Sequence, residues 1–210
     1  MLNSNKKKFE NYNTEPGLNY FKAQIGNSEH TYRQSKVTAI HRNLMREHTV
    51  KNRALNTYNF KGKTFTPAAI VLQGMKTVIN FHTAYLVGNP VTITGTPKAV
   101  ELMNKNYHNG VYSKVDWQIL NDLMTYGNAF EYVYLDEKNN IRSKVFRNQD
   151  AYPIYDDGLN YRYFVEYWKN KKGGEEHFTI YYPTHVDTYF NGRLIESKPN
   201  FTGLPIHYKA

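Results

Sequence analysis

Two pairs of histidines are the first candidates in this sequence for a chemical role, the binding of a metal ion. The imidazoles of His41 and His48, and those of His177 and His185, are groups that ligate metal ions in other proteins. Zinc hydrolases carry two His at helical i, i+4 spacing with a Glu between them, and a third ligand at a recognisable distance. Neither pair has that spacing or that third ligand, so we interpret these histidines as surface or packing residues and expect no bound metal.

Carboxylates and glycines of the kinds used in active sites also occur, but in turn-like contexts. Asp156–Asp157 and Glu175–Glu176 lie where the chain is expected to turn, and acidic residues are common there. Gly173–Gly174 is typical of a hairpin turn rather than of a phosphate-binding loop, and no nucleophile elbow is present. The chain has no Cys, which excludes a thiolate zinc site and a disulfide framework. The sequence predicts neither an enzyme nor a cofactor.

The charge of the chain raises the question of a polyanionic partner. Lys and Arg number 27 against 18 Asp and Glu, which gives a formal net charge of +9. Clustered cations gain affinity for phosphates by releasing counterions. Here the basic residues are spread over nearly every segment, which favours a solvated surface over a DNA track.

The domain organisation follows from composition along the chain. Residues 1–32 are polar and rich in Asn, which predicts a flexible N-terminal arm, and residues 33–210 are expected to form one domain. The Lys run near the N-terminus has no apolar stretch behind it, so we expect neither a secretory signal nor an anchor, and a cytoplasmic location.

One long amphipathic helix is predicted from Thr66 to Val87. Thr66 and Pro67 form a start signal, and Gly88 followed by Pro90 forms a stop signal, with the glycine expected in the left-handed conformation. The apolar face is expected to pack against the helix of residues 113–126 and one face of the sheet. Its members are Val71, Met75, Val78 and Ile79, with His82, Tyr85 and Leu86 extending it.

Two further helices and an antiparallel sheet are predicted beyond residue 95. Thr96 and Pro97 begin a short helix that ends near residues 109–110, and Ser113 with Asp116 approximates a capping box for the next helix, which Gly127 ends. The hydrophobic period then changes to two, with a hairpin over residues 130–146 and aromatic strands to about residue 196. The high aromatic content, 19 Tyr and 11 Phe, fits an aromatic-rich sheet. The fold class is α+β.

Short motifs mark four places in the chain. An aromatic residue and an apolar pair precede Gly-Asn-Pro at the end of the long helix, and an aromatic-Gly-x-Ala-aromatic-Glu segment follows the helix of residues 113–126. An aromatic-Pro pair precedes the acidic turn at residue 156, and a Gly-x-Pro-aliphatic stretch lies near the C-terminal end. The residues that carry these motifs are Tyr85, Gly88, Asn89, Pro90, Tyr126, Gly127, Ala129, Glu131, Pro153 and Pro205.

These motifs, in this order, resemble the portal proteins of tailed bacteriophages, in particular the group found in long-tailed phages of Gram-positive bacteria. The resemblance covers about residues 35–208. It implies the wing part of a portal, in which an amphipathic helix packs on an antiparallel sheet. The stem helices, clip and crown of that family have no counterpart in this sequence, so none of their residues is carried over.

The resemblance also implies a function and a set of partners. It implies a head-to-tail ring of identical subunits, twelve in the full-length protein, at the capsid vertex through which viral double-stranded DNA is packaged and ejected without sequence preference. Further implied partners are the major capsid and scaffolding proteins, and, through the absent regions, the terminase and head-completion proteins. The implied location is the virion, with assembly in the host cytoplasm and no membrane.

Two other functions remain open from the residues alone. A basic nucleic-acid-binding module without catalysis accounts for the charge and the aromatics, but lacks a clustered basic stripe. A hydrolase of unrecognised type would need a metal or a carboxylate pair with perturbed pKa values in the folded chain.

Overall fold

A computed structural model describes residues 15–45, 57–66, 70–89, 91–157, 159–170 and 172–210. The fold is α+β, as predicted. The described helices are α1 (Leu18–Ile25), α2 (Ser28–Leu44), α3 (Gly74–Val87), α4 (Pro97–Asn109) and α5 (Tyr112–Tyr126). The described strands are β1 (Tyr58–Phe60), β2 (Lys63–Phe65), β3 (Asn128–Leu135), β4 (Ile141–Val145), β5 (Ala151–Tyr155), β6 (Tyr161–Lys169), β7 (Glu176–Tyr181), β8 (His185–Phe190), β9 (Arg193–Pro199) and β10 (Ile206–Lys209).

The larger sheet is an antiparallel meander of five strands in the order β5-β6-β7-β8-β9. It confirms the predicted aromatic strands in the last third of the chain. The Asn191–Gly192 turn has positive φ at both residues, 49° and 80°, as a type I′ hairpin requires. Pro153 lies in β5, an edge strand, where the missing N–H removes no bond from the middle of the sheet.

The smaller sheet has three strands in the order β10-β3-β4. The β3–β4 hairpin is the predicted one, with Glu131 paired to Val145 and Leu135 to Ile141. Strand β10 returns from the end of the chain to pair with the other side of β3, where Ile206 lies opposite Glu131. This closure between distant segments makes β3 the central strand of its sheet.

The core lies on both faces of β6, because consecutive side chains of a strand point to opposite sides. Phe164 packs on one side with Phe130 and Phe146, which come from the smaller sheet and the segment after it. Val165 packs on the other side in a cluster that includes Phe21 of α1. The larger sheet is therefore covered by the smaller sheet on one face and by α1 on the other.

Helix α1 lies within residues 1–32, the expected N-terminal arm. Phe21 is fully buried and meets Tyr163 and Tyr182 edge to face, with ring centroids 5.4 and 5.6 Å apart. The Tyr182 hydroxyl donates to the carbonyl of Pro16 at 2.9 Å. Phe21 thus anchors this polar segment in the core, and Leu18 and Ile25 pack against the same cluster. The domain boundary at residue 32 stays a prediction.

Helix α3 begins at Gly74, eight residues later than predicted. Thr66 directly follows β2, whose pairing of Phe65 with Tyr58 holds the chain extended, and residues 70–73 are not helical. Pro67 lies outside the described residues. The predicted start signal was therefore wrong, because strand pairing overrides a local capping preference when the two compete for the same residues.

The packing face of α3 was also predicted wrongly. The helix does pack against α5, but Met75 and Val78 of the expected inner face are exposed, while Thr83, which is not part of that face, is fully buried. The Thr83 hydroxyl donates to the Ile79 carbonyl at 2.8 Å, which satisfies it without a partner from another element. Helix α5, rather than α3, packs against β3 and β4.

Helices α4 and α5 confirm the two predicted helices, but the start of α5 differs from expectation. Val111 occupies its N-cap in the left-handed region at φ 54°, and no side chain caps the helix. The expected capping box of Ser113 and Asp116 is therefore wrong. The Asp116 carboxylate instead accepts from the Tyr107 hydroxyl at 2.6 Å, which ties α5 to α4.

Candidate functional site

Of the first histidine pair, the structure describes His41. His41 of α2 lies 3.3 Å from the hydroxyl of Tyr126, measured from its Nδ1, so it joins α2 to the end of α5. His48 falls outside the described residues. This contact is a polar link between helices, in agreement with the interpretation of His41 as a packing residue.

The structure keeps His177 and His185 apart. His177 lies on β7 and stacks flat on Trp168, with ring centroids 3.7 Å apart. His185 is the first residue of β8 and lies next to the turn that joins β7 to β8. Its ring lies between the carboxylates of Asp187 and Glu15, at 3.6 and 3.5 Å. Over the described ranges, no group of three or more His, Asp or Glu side chains could hold a metal ion.

The same pattern of local hydrogen bonds holds the carboxylates of Asp156 and Asp136 in their turns. Asp156 accepts from the backbone N–H of Asn160 at 2.9 Å and from the Nε of Arg162 at 2.8 Å. These hydrogen bonds, the one from Arg162 first, lower the pKa of Asp156 to about 2. Asp136 makes the same contacts with Asn140 and Arg142 in the β3–β4 turn. Both carboxylates therefore stay ionised and stabilise hairpins, which suits neither a general acid nor a base.

Glu175 and Glu176 also serve the hairpin in which they lie. Glu175 accepts from the side-chain amide of Asn170 at 3.3 Å across the turn. Glu176 lies 3.3 Å from Lys169 and 3.6 Å from Lys22 of α1, which helps to hold α1 on the sheet.

The motif residues after α5 fall at the junction of helix and sheet. Gly127 ends α5, as predicted; it adopts the left-handed conformation, φ 73°, and donates its N–H to the carbonyl of Leu123 at 2.9 Å. Ala129 is fully buried. Glu131, two residues on, is also buried, and its two carboxylate oxygens accept from the hydroxyls of Ser143 at 2.6 Å and Tyr208 at 2.7 Å. Glu131 thus joins all three strands of the smaller sheet.

Pro205 belongs to the same junction. It is fully buried directly before β10, whose first residue pairs with Glu131. The β10–β3 pairing therefore places Pro205 near Glu131, although their motifs lie more than 70 positions apart, while Gly127 lies at the other end of this pairing, where its carbonyl accepts from the N–H of Ala210 at 3.1 Å. Pro153 is buried in β5, in the larger sheet.

The motif at the end of α3 lies apart from that junction. Tyr85 is 74% exposed and stacks on Phe81, and Asn89 is exposed. Gly88 ends the helix in the right-handed conformation, φ −68°, so the expected left-handed cap was wrong. Glycine is needed here for space instead, because an added Cβ would overlap the carbonyl oxygen of Ala84. Pro90 falls outside the described residues.

One polar residue at the junction of the sheets was missed from the sequence. His207 of β10 stacks on Phe130 with centroids 4.4 Å apart, and its Nε2 donates to the side-chain oxygen of Asn128 at 2.8 Å. Its Nδ1 accepts from the Tyr155 hydroxyl, which links the two sheets. Burial lowers the pKa of His207 to about 4, and Lys209 acts in the same direction. No local signal could have identified it, since its partners come from β3 and β5.

The described part of the chain leaves a continuous apolar stripe uncovered on α3. The exposed large side chains from position 75 to position 85 follow steps of three and four along the helix, Leu86 adjoins the last of them, and none is charged. They are Met75, Val78, Phe81, Tyr85 and Leu86. A stripe of this extent is typical of a surface that meets another protein. None of the described helices is long and apolar enough to cross a membrane.

Comparison with known protein families identifies a match. The family model described as "Phage portal protein, SPP1 Gp6-like" matches residues 26–209. The matched range contains every motif residue and both sheets. No curated protein matches the chain.

Proposed function

This chain belongs to the phage portal protein family of the SPP1 Gp6-like type, and on that premise we propose that it is a wing segment of the ring through which phage DNA enters and leaves the capsid. The family places the chain in a structural role at the capsid vertex. The ring, its twelve subunits and the passage of double-stranded DNA are the parts of this proposal that experiment must test.

The observation that supports the proposal is the uncovered stripe on α3. A self-sufficient domain would turn Met75 and Val78 towards its own core, whereas α3 packs on α5, buries Thr83 and leaves these apolar side chains in solvent. Side chains of this kind are stabilised when a second protein removes them from water. The stripe is therefore suited to contact between neighbouring subunits.

The proposed mechanism is architectural. Each subunit meets the next through two different surfaces, and repetition of such a head-to-tail contact about a rotation axis closes a ring. The two-sided core around Phe164 and Val165 would keep each wedge rigid, so that the angle between neighbours is constant. In this scheme the chain performs no catalysis, and the major capsid, scaffolding, terminase and head-completion proteins bind around or beyond the wing.

Imaging of intact phage particles tests the proposal. We expect the chain to occupy a single capsid vertex as a closed ring, and the full-length product to assemble with twelve-fold symmetry. We also expect the 210-residue chain alone to be mostly monomeric at micromolar concentration in light scattering, because a partial interface below about 1,000 Å² leaves little free energy after association costs. A full-length product that stays monomeric, or forms only a twofold dimer in particles, would remove the portal assignment.

DNA binding separates this proposal from the nucleic-acid-binding alternative. We expect weak binding by the isolated chain, with no base preference and a steep loss of affinity as salt rises, because scattered Lys and Arg contact only phosphates. A gel-shift titration on two unrelated duplexes at two salt concentrations measures this. Nanomolar binding with a base preference at physiological salt would favour the alternative.

A further inference from the structure

The β1–β2 hairpin has an uncovered aromatic face. Tyr58, Phe60 and Phe65 are 51%, 66% and 53% exposed. Tyr58 pairs directly with Phe65, and Phe60 lies two residues along the same strand, so the three rings share one face. The opposite face carries Asn59 and Thr64, whose side chains hydrogen-bond to each other at 2.7 Å. The hairpin is thus apolar on one face and polar on the other.

A hairpin of this kind needs a cover to be stable. Two strands alone are marginally stable in water, and every residue of β1 and β2 is exposed. Its turn is well formed, since Lys61 and Gly62 have φ 47° and 73°, as a type I′ turn requires. The turn therefore specifies the hairpin shape, while nothing among the described residues covers its aromatic face.

We propose that this aromatic face packs on the α3 stripe of a second copy of the chain, so that the hairpin of each subunit lies on α3 of the next subunit. The inference rests on the proposed function, because it names the two surfaces that meet between ring neighbours. Both surfaces are apolar and both are uncovered within one copy. A contact between two different surfaces of identical chains is the type that repeats around a ring.

The size of the two surfaces argues for a neighbour in an assembly rather than an independent dimer. Aromatic side chains bury about 150–250 Å² each, so three half-exposed rings offer on the order of 300 Å². With a similar area from α3, the contact removes about 600 Å² from water, well below the roughly 1,200 Å² of a stable specific interface. It would therefore be weak in a pair of copies and become occupied when several contacts close together in a ring.

Charge is compatible with this arrangement. Lys63 lies opposite Phe60 on the aromatic face, and Lys61 lies over the Phe60 ring, 5.5 Å from its centroid. The only charged residue of α3 is Lys76, and it does not belong to the stripe. The hairpin lysines can extend past the apolar contact to solvent, so no charge is buried.

Cysteine trapping tests the contact directly, because the chain contains no Cys of its own. Lys63→Cys places a thiol on the aromatic face and keeps all three rings, and Thr64→Cys is its matched control on the opposite face. On α3, Val78→Cys lies in the stripe, and Asn80→Cys is an exposed control on another side. Single-Cys variants are mixed in pairs at about 1 mM, where a contact with a millimolar Kd is substantially populated.

We expect the Lys63→Cys and Val78→Cys pair to form a disulfide-linked heterodimer at least about tenfold faster than a pair that contains either control variant. A tenfold ratio corresponds to about 1.4 kcal/mol of contact free energy. Equal rates for all pairs would overturn the proposal. Faster linkage of Lys63→Cys to itself would also overturn it, because that result means a twofold hairpin contact. Protection of the Lys63→Cys thiol from alkylation by double-stranded DNA would assign the face to nucleic acid instead.

The outcomes for this contact and for the ring are distinguishable. If particle images contain the ring but the full-length Lys63→Cys, Val78→Cys double variant does not cross-link between its subunits, only the hairpin contact is wrong. If the specific disulfide forms but no ring occupies the vertex, the contact stands and the proposed function is wrong. Phe60→Asp in the full-length protein, with Thr64→Asp as control, is expected to reduce ring yield without changing the far-UV spectrum.

Discussion

Two substitutions to aspartate on α3 test which side of this helix faces the core. Thr83 is 0% exposed and Val78 is 55% exposed, and both lie within one regular helix. Thr83→Asp and Val78→Asp introduce the same charged residue five positions apart. Asp has nearly the same helix propensity as Thr and Val, so that propensity contributes little to any difference.

The expected magnitudes follow from burial. Asp at position 83 would place a carboxylate at a fully buried position, and it would lose the Thr83 hydrogen bond to Ile79. An unpaired buried charge costs about 3 kcal/mol or more. Val78→Asp loses only the hydrophobic free energy of the buried part of the valine side chain, about 1 kcal/mol at most.

Denaturant unfolding followed by far-UV circular dichroism measures both free energies of unfolding. We expect Thr83→Asp to lower the midpoint strongly, and Val78→Asp to leave it near that of the parent while reducing assembly of the full-length protein. Thr83→Ala controls for loss of the hydroxyl without a charge. Equal destabilisation by the two aspartates, or a larger loss for Val78→Asp, would refute the orientation of α3 described above.

Two further predictions concern the junction of the sheets. Glu131→Ala should lower the free energy of unfolding by about 2–4 kcal/mol, because it removes the buried carboxylate that accepts from the half-buried hydroxyls of Ser143 and Tyr208; a thermal melt matching the parent would contradict this. The His207 pKa is lowered from 6.5 to about 4, so protonation is harder in the folded chain, and stability should fall as pH drops through that window. Asp122, whose pKa burial raises to about 6, titrates with the opposite sign, so the test compares the parent with His207→Gln at each pH. An equal pH slope for both proteins would show that His207 does not contribute.

Local signals predicted the elements that depend on neighbours in sequence. The strands of the larger sheet follow from period-two alternation and from turn residues such as Asn191–Gly192, whose dihedrals are set within four residues. The end of α5 at Gly127 follows from the left-handed conformation that glycine adopts without strain. The motif residues around Glu131 were identified by resemblance, but their roles as buried acceptor and packing residues were not.

Features that depend on distant segments could not be predicted in the same way. The side of α3 that packs inward was misjudged because amphipathic periodicity identifies an apolar face without saying which protein covers it. Phe21 reaches the core only because the larger sheet offers it a pocket between Tyr163 and Tyr182. The pairing of β10 with β3 joins segments more than 70 residues apart.

By itself, the amino-acid sequence determined the α+β class, the β3–β4 hairpin, the Asn191–Gly192 turn and the helix end at Gly127, because these are decided by dihedral preferences and side-chain alternation over a few residues. Only the tertiary structure decided that Thr83 faces inward, that Glu131 is held by two hydroxyls, and that the aromatic face of β1–β2 remains uncovered. Whether a side chain is buried depends on the residues that surround it. Around Thr83 and Glu131 these residues include segments far away along the chain, and the aromatic face of β1–β2 lies on a surface that the described residues leave open.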